Sequence, residues 1–260
     1  MKKKTVLITN DDGFDSLGLQ ALKEAVEKVA NVIVVAPTLQ KSACGHSLTL
    51  TRPLHFIEIE SNFYKLDDGT PSDCVFLSLT KLFKEKKPDL VVSGINYGPN
   101  LGEDITYSGT AAAAMEAVLQ GIPAIAFSQV CKGDCSNINF DLAKQIAEKL
   151  VKKVLEHGSP VENRKFLNVN IPPLSPSEYK GSKVTHAGNR AYGFDAQVHH
   201  NPRGLEYYWI GLPKIDWSPT KNPKHDYSDI EAIEDNFVSI TPIHLDMTHY
   251  ESIKKVEEWL

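Results

Sequence analysis

The chain has 260 residues and a formal net charge of -5, with an isoelectric point near 6.0. It is long enough to bury a substantial core as one main domain or one domain plus an extension. The acidic balance excludes the basic footprint of a nucleic-acid polymer binder but not a small nucleotide. Four cysteines, Cys44, Cys74, Cys131 and Cys135, have no paired Cys-x-x-Cys spacing and no histidine set to complete a zinc site.

After Lys2-Lys3-Lys4 the only apolar stretch is Thr5-Val-Leu-Ile-Thr9, too short for a signal peptide or a membrane span, so a reducing cytoplasm and no membrane partner are expected. That stretch predicts a buried strand, which Asn10-Asp11-Asp12-Gly13 ends. The apolar spacing of Leu17, Leu19, Leu22, Ala25, Val26 and Val29 predicts a helix. Val32–Ala36, β-branched and closed by Pro37, predicts a parallel strand buried on both faces, followed by a long polar loop from Thr38 to Ser47. Leu48–Leu66 reads as one or two hairpin strands beside the main sheet. A helix should start at Thr70, with Pro71 at its first position and Asp73 completing a capping box.

Pro88–Ser93 predicts another buried strand, opening into the loop Gly94–Gly102, dense in glycine and asparagine. Ser108-Gly109-Thr110 precedes a helix over Ala111–Gln120, stopped by Gly121, and Pro123–Ser128 follows as a strand. Cys131 and Cys135 then read as two unrelated loop thiols in preference to a local redox pair or half a metal site. A helix over Phe140–Glu156 and a strand over Phe166–Ile171 complete the alternation. The fold class is therefore α/β: a doubly wound, mostly parallel, Rossmann-like sheet with a β-hairpin excursion. Residues 1–175 form its core. Residues 176–260 read as a C-terminal extension with strands at Leu205–Gly211 and Phe237–Thr241 and a helix over His249–Leu260. Its aromatic content needs a surface to cover, on its own subunit or a neighbour.

Open α/β sheets bind ligands beyond the carboxyl ends of their strands. Three loops arise at such ends, and they contribute Asn10, Asp11, Asp12, Ser42, His46, Asn96 and Asn100. These are mostly oxygen donors and suit Mg2+, Mn2+ or Ca2+ better than zinc. Ser108-Gly109-Thr110, at a helix N-terminus, adds an anion site for a phosphate. No Gly-x-Gly-x-x-Gly follows the first strand and no Gly-Lys-Ser/Thr closes a phosphate loop, which excludes dinucleotide and P-loop readings.

Ile8-Thr-Asn-Asp-Asp-Gly13, Val35-Ala-Pro37, Ser42-Ala-Cys-Gly-His-Ser47, Gly69-Thr-Pro-Ser-Asp-Cys74, Ser93-Gly-Ile-Asn-Tyr-Gly-Pro-Asn100 and Tyr107-Ser-Gly-Thr110 together resemble the SurE (survival protein E) family of metal-dependent 5'-nucleotidases. Weaker matches continue through Leu167-Asn-Val-Asn-Ile-Pro172, Pro202-Arg-Gly204, Tyr208-Trp-Ile-Gly211 and Val238-Ser-Ile-Thr-Pro242. The resemblance implies one divalent cation per subunit, held by Asp11, Asp12, Ser42 and Asn96, with Asn10 and Ser108–Thr110 close to the substrate phosphate. It also implies a homodimer or homotetramer in which the extension is exchanged between subunits. One departure is Asn236, where the family pattern has a glycine.

The expected reaction is hydrolysis of nucleoside 5'-monophosphates by metal-activated water, with Asp11, Asp12 and Asn10 as catalytic residues and Asn96, Ser108, Gly109 and Thr110 meeting the phosphate. His46 and metal-bound water are equal candidates for general acid, and Tyr97 and Tyr107 for stacking on the base. A metal-dependent nucleotide-binding regulator would use the same residues, and a polyphosphate or phosphosugar phosphatase would change only the substrate.

Overall fold

A computed structural model describes residues 3–131, 138–191, 196–210, 216–218 and 227–260. In chain order the elements are β1 (Thr5–Thr9), α1 (Leu17–Glu27), β2 (Asn31–Pro37), β3 (His55–Glu60), β4 (Phe63–Asp67), α2 (Pro71–Lys81), β5 (Leu90–Tyr97), α3 (Gly109–Leu119), β6 (Ala124–Gln129), α4 (Asp141–His157) and β7 (Lys165–Ile171). The extension adds β8 (Ser182–Val184), β9 (Asn189–Ala191), β10 (Ala196–His200), β11 (Glu206–Ile210), β12 (Asp216–Ser218), α5 (Asp229–Glu234), β13 (Val238–His244) and α6 (Ile253–Trp259). A nine-stranded sheet runs in the order β3-β4-β2-β1-β5-β6-β7-β13-β8.

From β4 to β7 each neighbouring pair is parallel. The chain leaves β1 in one direction to build β2 and β4, then crosses to β5 and builds outward through β6 and β7. This reversal makes the gap between β1 and β5 the place where a doubly wound sheet opens a crevice. The predicted hairpin forms: β3 and β4 pair antiparallel, and β4 joins the main sheet as a parallel neighbour of β2. The extension is not detached from the sheet, since β13 pairs antiparallel with β7 and β8 pairs with β13.

The two faces carry separate cores because side chains alternate along each strand. Val6 and Ile8 pack with α1 and α4, while Leu7 between them packs against α2 and α3. The alanine run of α3 is buried at Ala111, Ala112, Ala113 and Ala114. In α1, Leu19, Leu22, Ala25 and Val26 face the core, but Leu17 is exposed, because the helix begins there from the N-cap Ser16. The capping box of α2 forms as expected, between Thr70 and Asp73.

β5 is longer than the sequence predicts. Gly94 takes φ of 125° and lies so close to β6 that a Cβ would stand 2.2 Å from Phe127 O. Only glycine permits that approach, and pairing with β6 resumes at Asn96 opposite Ser128 after an irregularity. Asn236 adopts φ of 68°, a left-handed conformation that asparagine tolerates, so the turn forms without glycine. Cys131 is disulfide-bonded, contrary to its reading as an unrelated thiol; Cys135 lies outside the described residues, as does Gly211 at the end of the predicted Leu205–Gly211 strand. Among the described residues no helix is long and apolar enough to cross a membrane.

Candidate active site

The turn after β1 is built from its own side chains. Asn10 donates from Nδ2 to Gly13 O at 2.9 Å and to Ser16 Oγ at 2.8 Å, which joins the end of the strand to the cap of α1. Asp11 and Asp12 are thereby fixed at the crevice between β1 and β5. Thr110 Oγ1 donates to Asp11 Oδ1. The Tyr97 N–H donates to Asp12 Oδ2 at 3.2 Å, so the end of β5 holds the second carboxylate.

Helix α3 meets the first carboxylate directly. A Cβ at Gly109 would stand 2.8 Å from Asp11 Cβ and 3.0 Å from Cys44 Sγ, a distance no side chain allows. Ser108 caps the helix by accepting from Ala111 N–H at 3.0 Å. Residues read from the sequence as candidate cation and phosphate ligands, Asp11 and Gly109–Thr110, are thus in contact. A cleft of about 260 Å3 opens here, and Asp11, Ser42, Asn96, Asn100 and Ser108 line it together with Tyr97 and Tyr107. Asn10 is fully buried beneath it. His46 is not among the lining residues; its Nε2 lies 3.0 Å from Glu116 Oε2 of α3.

Burial pushes the Asp11 carboxyl above its ordinary value, against hydrogen bonds from Thr110 and the backbone of Gly109 and Thr110. Burial, then the Asp11 charge beside it, raises Asp12 to about 7. Burial, then the same charge, takes the Cys44 thiol up to about 11. Among the described residues no lysine or arginine counters the two carboxylates. Asn10 Oδ1 and Ser93 Oγ are buried without a hydrogen-bond partner among the described residues. Paired carboxylates and neutral oxygens with no cationic side chain fit a hard divalent cation. Among the described residues no three His, Cys, Asp or Glu side chains cluster, so such a cation would need serine, asparagine or water oxygens beside the two aspartates.

A family model described as Survival protein SurE matches residues 6–194, a span that contains every one of these site residues. The chain belongs to the SurE family. It is 60% identical over its whole length, and over 98% of the relative, to a protein named 5'-nucleotidase SurE from Sulfurovum sp. (strain NBC37-1). It is 57% identical, over 99% of each chain, to the protein of the same name from Aliarcobacter butzleri (strain RM4018). Among solved structures, the SurE protein from Aquifex aeolicus superposes with a TM-score of 0.81 at 45% identity, covering 98% of this chain and 99% of that one.

In this SurE chain the floor of the cleft depends on residues that pattern reading passed over. The Asn100 N–H donates to Asn170 Oδ1 at 2.8 Å, Asn168 and Asn170 donate to Asn100 O at 2.8 and 3.0 Å, and Asn100 Nδ2 donates to Ser128 Oγ at 2.7 Å. The signal was present, since two asparagines two apart on an otherwise apolar strand share one face. The extension contributes Asp229, which accepts from Gly102 N–H and Gly188 N–H, each at 2.8 Å.

Proposed function

We propose that the chain is a divalent-cation-dependent 5'-nucleotidase that hydrolyses nucleoside 5'-monophosphates to nucleoside and phosphate. The reaction class, hydrolysis of a phosphoric monoester, follows from full-length relatives that carry the name 5'-nucleotidase. The observation that carries the site reading is the contact of Asp11 with the N-terminus of α3 through Thr110 and Gly109. A group bridging the two would meet carboxylates on one side and helix N–H groups on the other.

Asp11, Asp12, Ser42 and Asn96 would hold the cation, which when bound supplies charge to the phosphoryl oxygens and lowers the pKa of water. The chain's own residues do the rest. Ser108, Gly109 and Thr110 present the positive end of α3 to the phosphate, and Asn96 adds an amide. Asp11 or Asp12 would accept the proton of the attacking water. Asn10 acts from below, by holding the Asp11-Asp12 turn. Of the two tyrosines, Tyr97 is committed: its hydroxyl accepts from Leu17 N–H and Gly18 N–H at 2.7 and 3.3 Å, and its ring stacks on Phe140. Tyr107, 56% exposed at the rim and adjacent to Ser108, would meet the base.

The extension would complete a homodimer or homotetramer. Tyr208, Trp209 and Ile210 of β11 and Trp259 of α6 are each more than half exposed, an apolar surface that a second subunit would cover.

The test is phosphate release from a panel of nucleoside monophosphates, ribose 5-phosphate and polyphosphate, with chelator or with added Mg2+ or Mn2+. Metal-dependent release, fastest from nucleoside 5'-monophosphates, is expected. Binding without turnover would replace the enzyme by a nucleotide-sensing regulator, and preference for polyphosphate or ribose 5-phosphate would replace the substrate.

A further inference from the structure

Residues 38–54 join β2 to β3 without helix or strand. A connection this long is uncommon in a compact domain unless it serves function. It carries Ser42, which is exposed and reaches the cleft. What holds it in place lies elsewhere in the chain. Lys41 N–H donates to Asp11 O at 2.7 Å and Gly45 N–H to Tyr107 O at 2.9 Å, one tie on each side of Ser42. Beyond them two carboxylates grip the loop. Asp73 of α2 accepts from Thr49 N–H at 2.9 Å and Thr49 Oγ1 at 2.6 Å. Glu116 of α3 faces His46 Nε2 at 3.0 Å.

Glu116 has no part in the reaction described above, yet its side chain is only 5% exposed. It shares a face of α3 with Ala112 and Ala113, both fully buried. A carboxylate in such a place is costly unless paired and hydrogen-bonded. Its partners are His46 and, at 2.9 Å, Gln120 Nε2. A carboxylate only accepts, so the His46 ring must donate from Nε2. Neither Glu116 nor Asp73 lines the cleft.

We infer that Glu116 and Asp73 form a two-point clamp that acts through His46 and Thr49 to hold the 38–54 loop with Ser42 facing the Asp11-Asp12 pair. Glu116 and His46 are positioning residues for the cation, and His46 is a strut rather than the general acid. The inference rests on the proposed reading of Ser42 as a metal ligand. It predicts that loosening the clamp weakens cation binding before substrate is present.

The experiment measures Mn2+ binding to the substrate-free, full-length protein from the electron paramagnetic resonance of free Mn2+. The proteins compared are wild type, Glu116→Ala, Glu116→Gln, His46→Ala and the His46→Ala/Glu116→Ala double variant. Each alanine variant should weaken Mn2+ binding by about ten-fold, the lower end for residues that orient metal ligands. The double variant should be no weaker than the worse single one, because both remove one contact. Glu116→Gln, which keeps an acceptor, should recover part of the loss, and the deficit in turnover should shrink as Mn2+ is raised.

Wild type that binds no Mn2+ would remove the cation reading itself. Wild-type binding with unchanged variants would overturn the clamp alone. So would strictly additive losses, or a His46→Ala variant that loses turnover at saturating Mn2+ with full Mn2+ affinity. If Glu116→Ala fails to fold, Thr49→Val, which deletes only the hydroxyl contact to Asp73, carries the same expectation and the same refutation.

Discussion

Burial, then the Asp11 charge, raises the folded-state pKa of Asp12 to about 7, well above the ordinary aspartate value of about 3.9. The proton therefore favours the folded state. In metal-free protein its contribution is fully present below pH of about 4 and is lost as pH rises through about 7, with Asp11 shifted in the same direction. A cation replaces the proton as the positive charge, so Mn2+ should raise the melting temperature more at pH 8 than at pH 5. Equal shifts at both pH values would remove Asp12 from the cation site. Asp12→Asn should lower turnover by about 100-fold or more, while its metal-free melting temperature at pH 8 is no lower than wild type. Thermal melts in EDTA, paired with the phosphate assay, check both.

At the scale of elements, the decisive join is α3 against the end of β1. Helix propensity alone favours alanine over glycine at position 109. The geometry opposes it, since the added Cβ would meet Asp11 at 2.8 Å and Cys44 at 3.0 Å. Gly109→Ala should therefore keep its helical circular dichroism and lose turnover by about ten-fold or more, as a displaced catalytic group does. Full activity would show that Asp11 need not touch α3. The other joins near the cleft follow the same logic. Tyr97 ties β5 to the start of α1, and Asp229 ties the loop after β5 to the extension. Each element end is held by a side chain from a different element, as a preformed site requires.

For the whole molecule, the sheet is closed on one flank by β3 and on the other by β13 and β8. The β10-β11 hairpin and α6 are another matter. Every residue of β10 and β11 is exposed, and Tyr250, Ile253, Val256, Trp259 and Leu260 are each at least 44% exposed. An isolated two-stranded hairpin is marginal in water, so these surfaces predict assembly. Light scattering after size exclusion should give a mass that is a dimer or tetramer multiple of the 28.8 kDa chain. A monomer at micromolar concentration would show that the extension has another role.

The sequence by itself determined what depends on near neighbours. Alternating strands and helices, the Thr70–Asp73 capping box and the placement of Asp11-Asp12 at a strand's end all follow from periodicity and turn chemistry within a few residues. The signature segments carried the family as well. Tertiary structure alone decided the contacts between distant residues. Asp11 and Thr110 are 99 positions apart, and His46 and Glu116 are 70 apart. No local preference encodes such pairs. His46, by its chemistry an equal candidate with metal-bound water for general acid, faces a buried glutamate. The Tyr97 hydroxyl is held by the start of α1, and β4 could be placed in the main sheet only once its partner β2 was known. The reason is physical: propensity acts along the chain, whereas burial and hydrogen-bond satisfaction act across whatever the fold brings together.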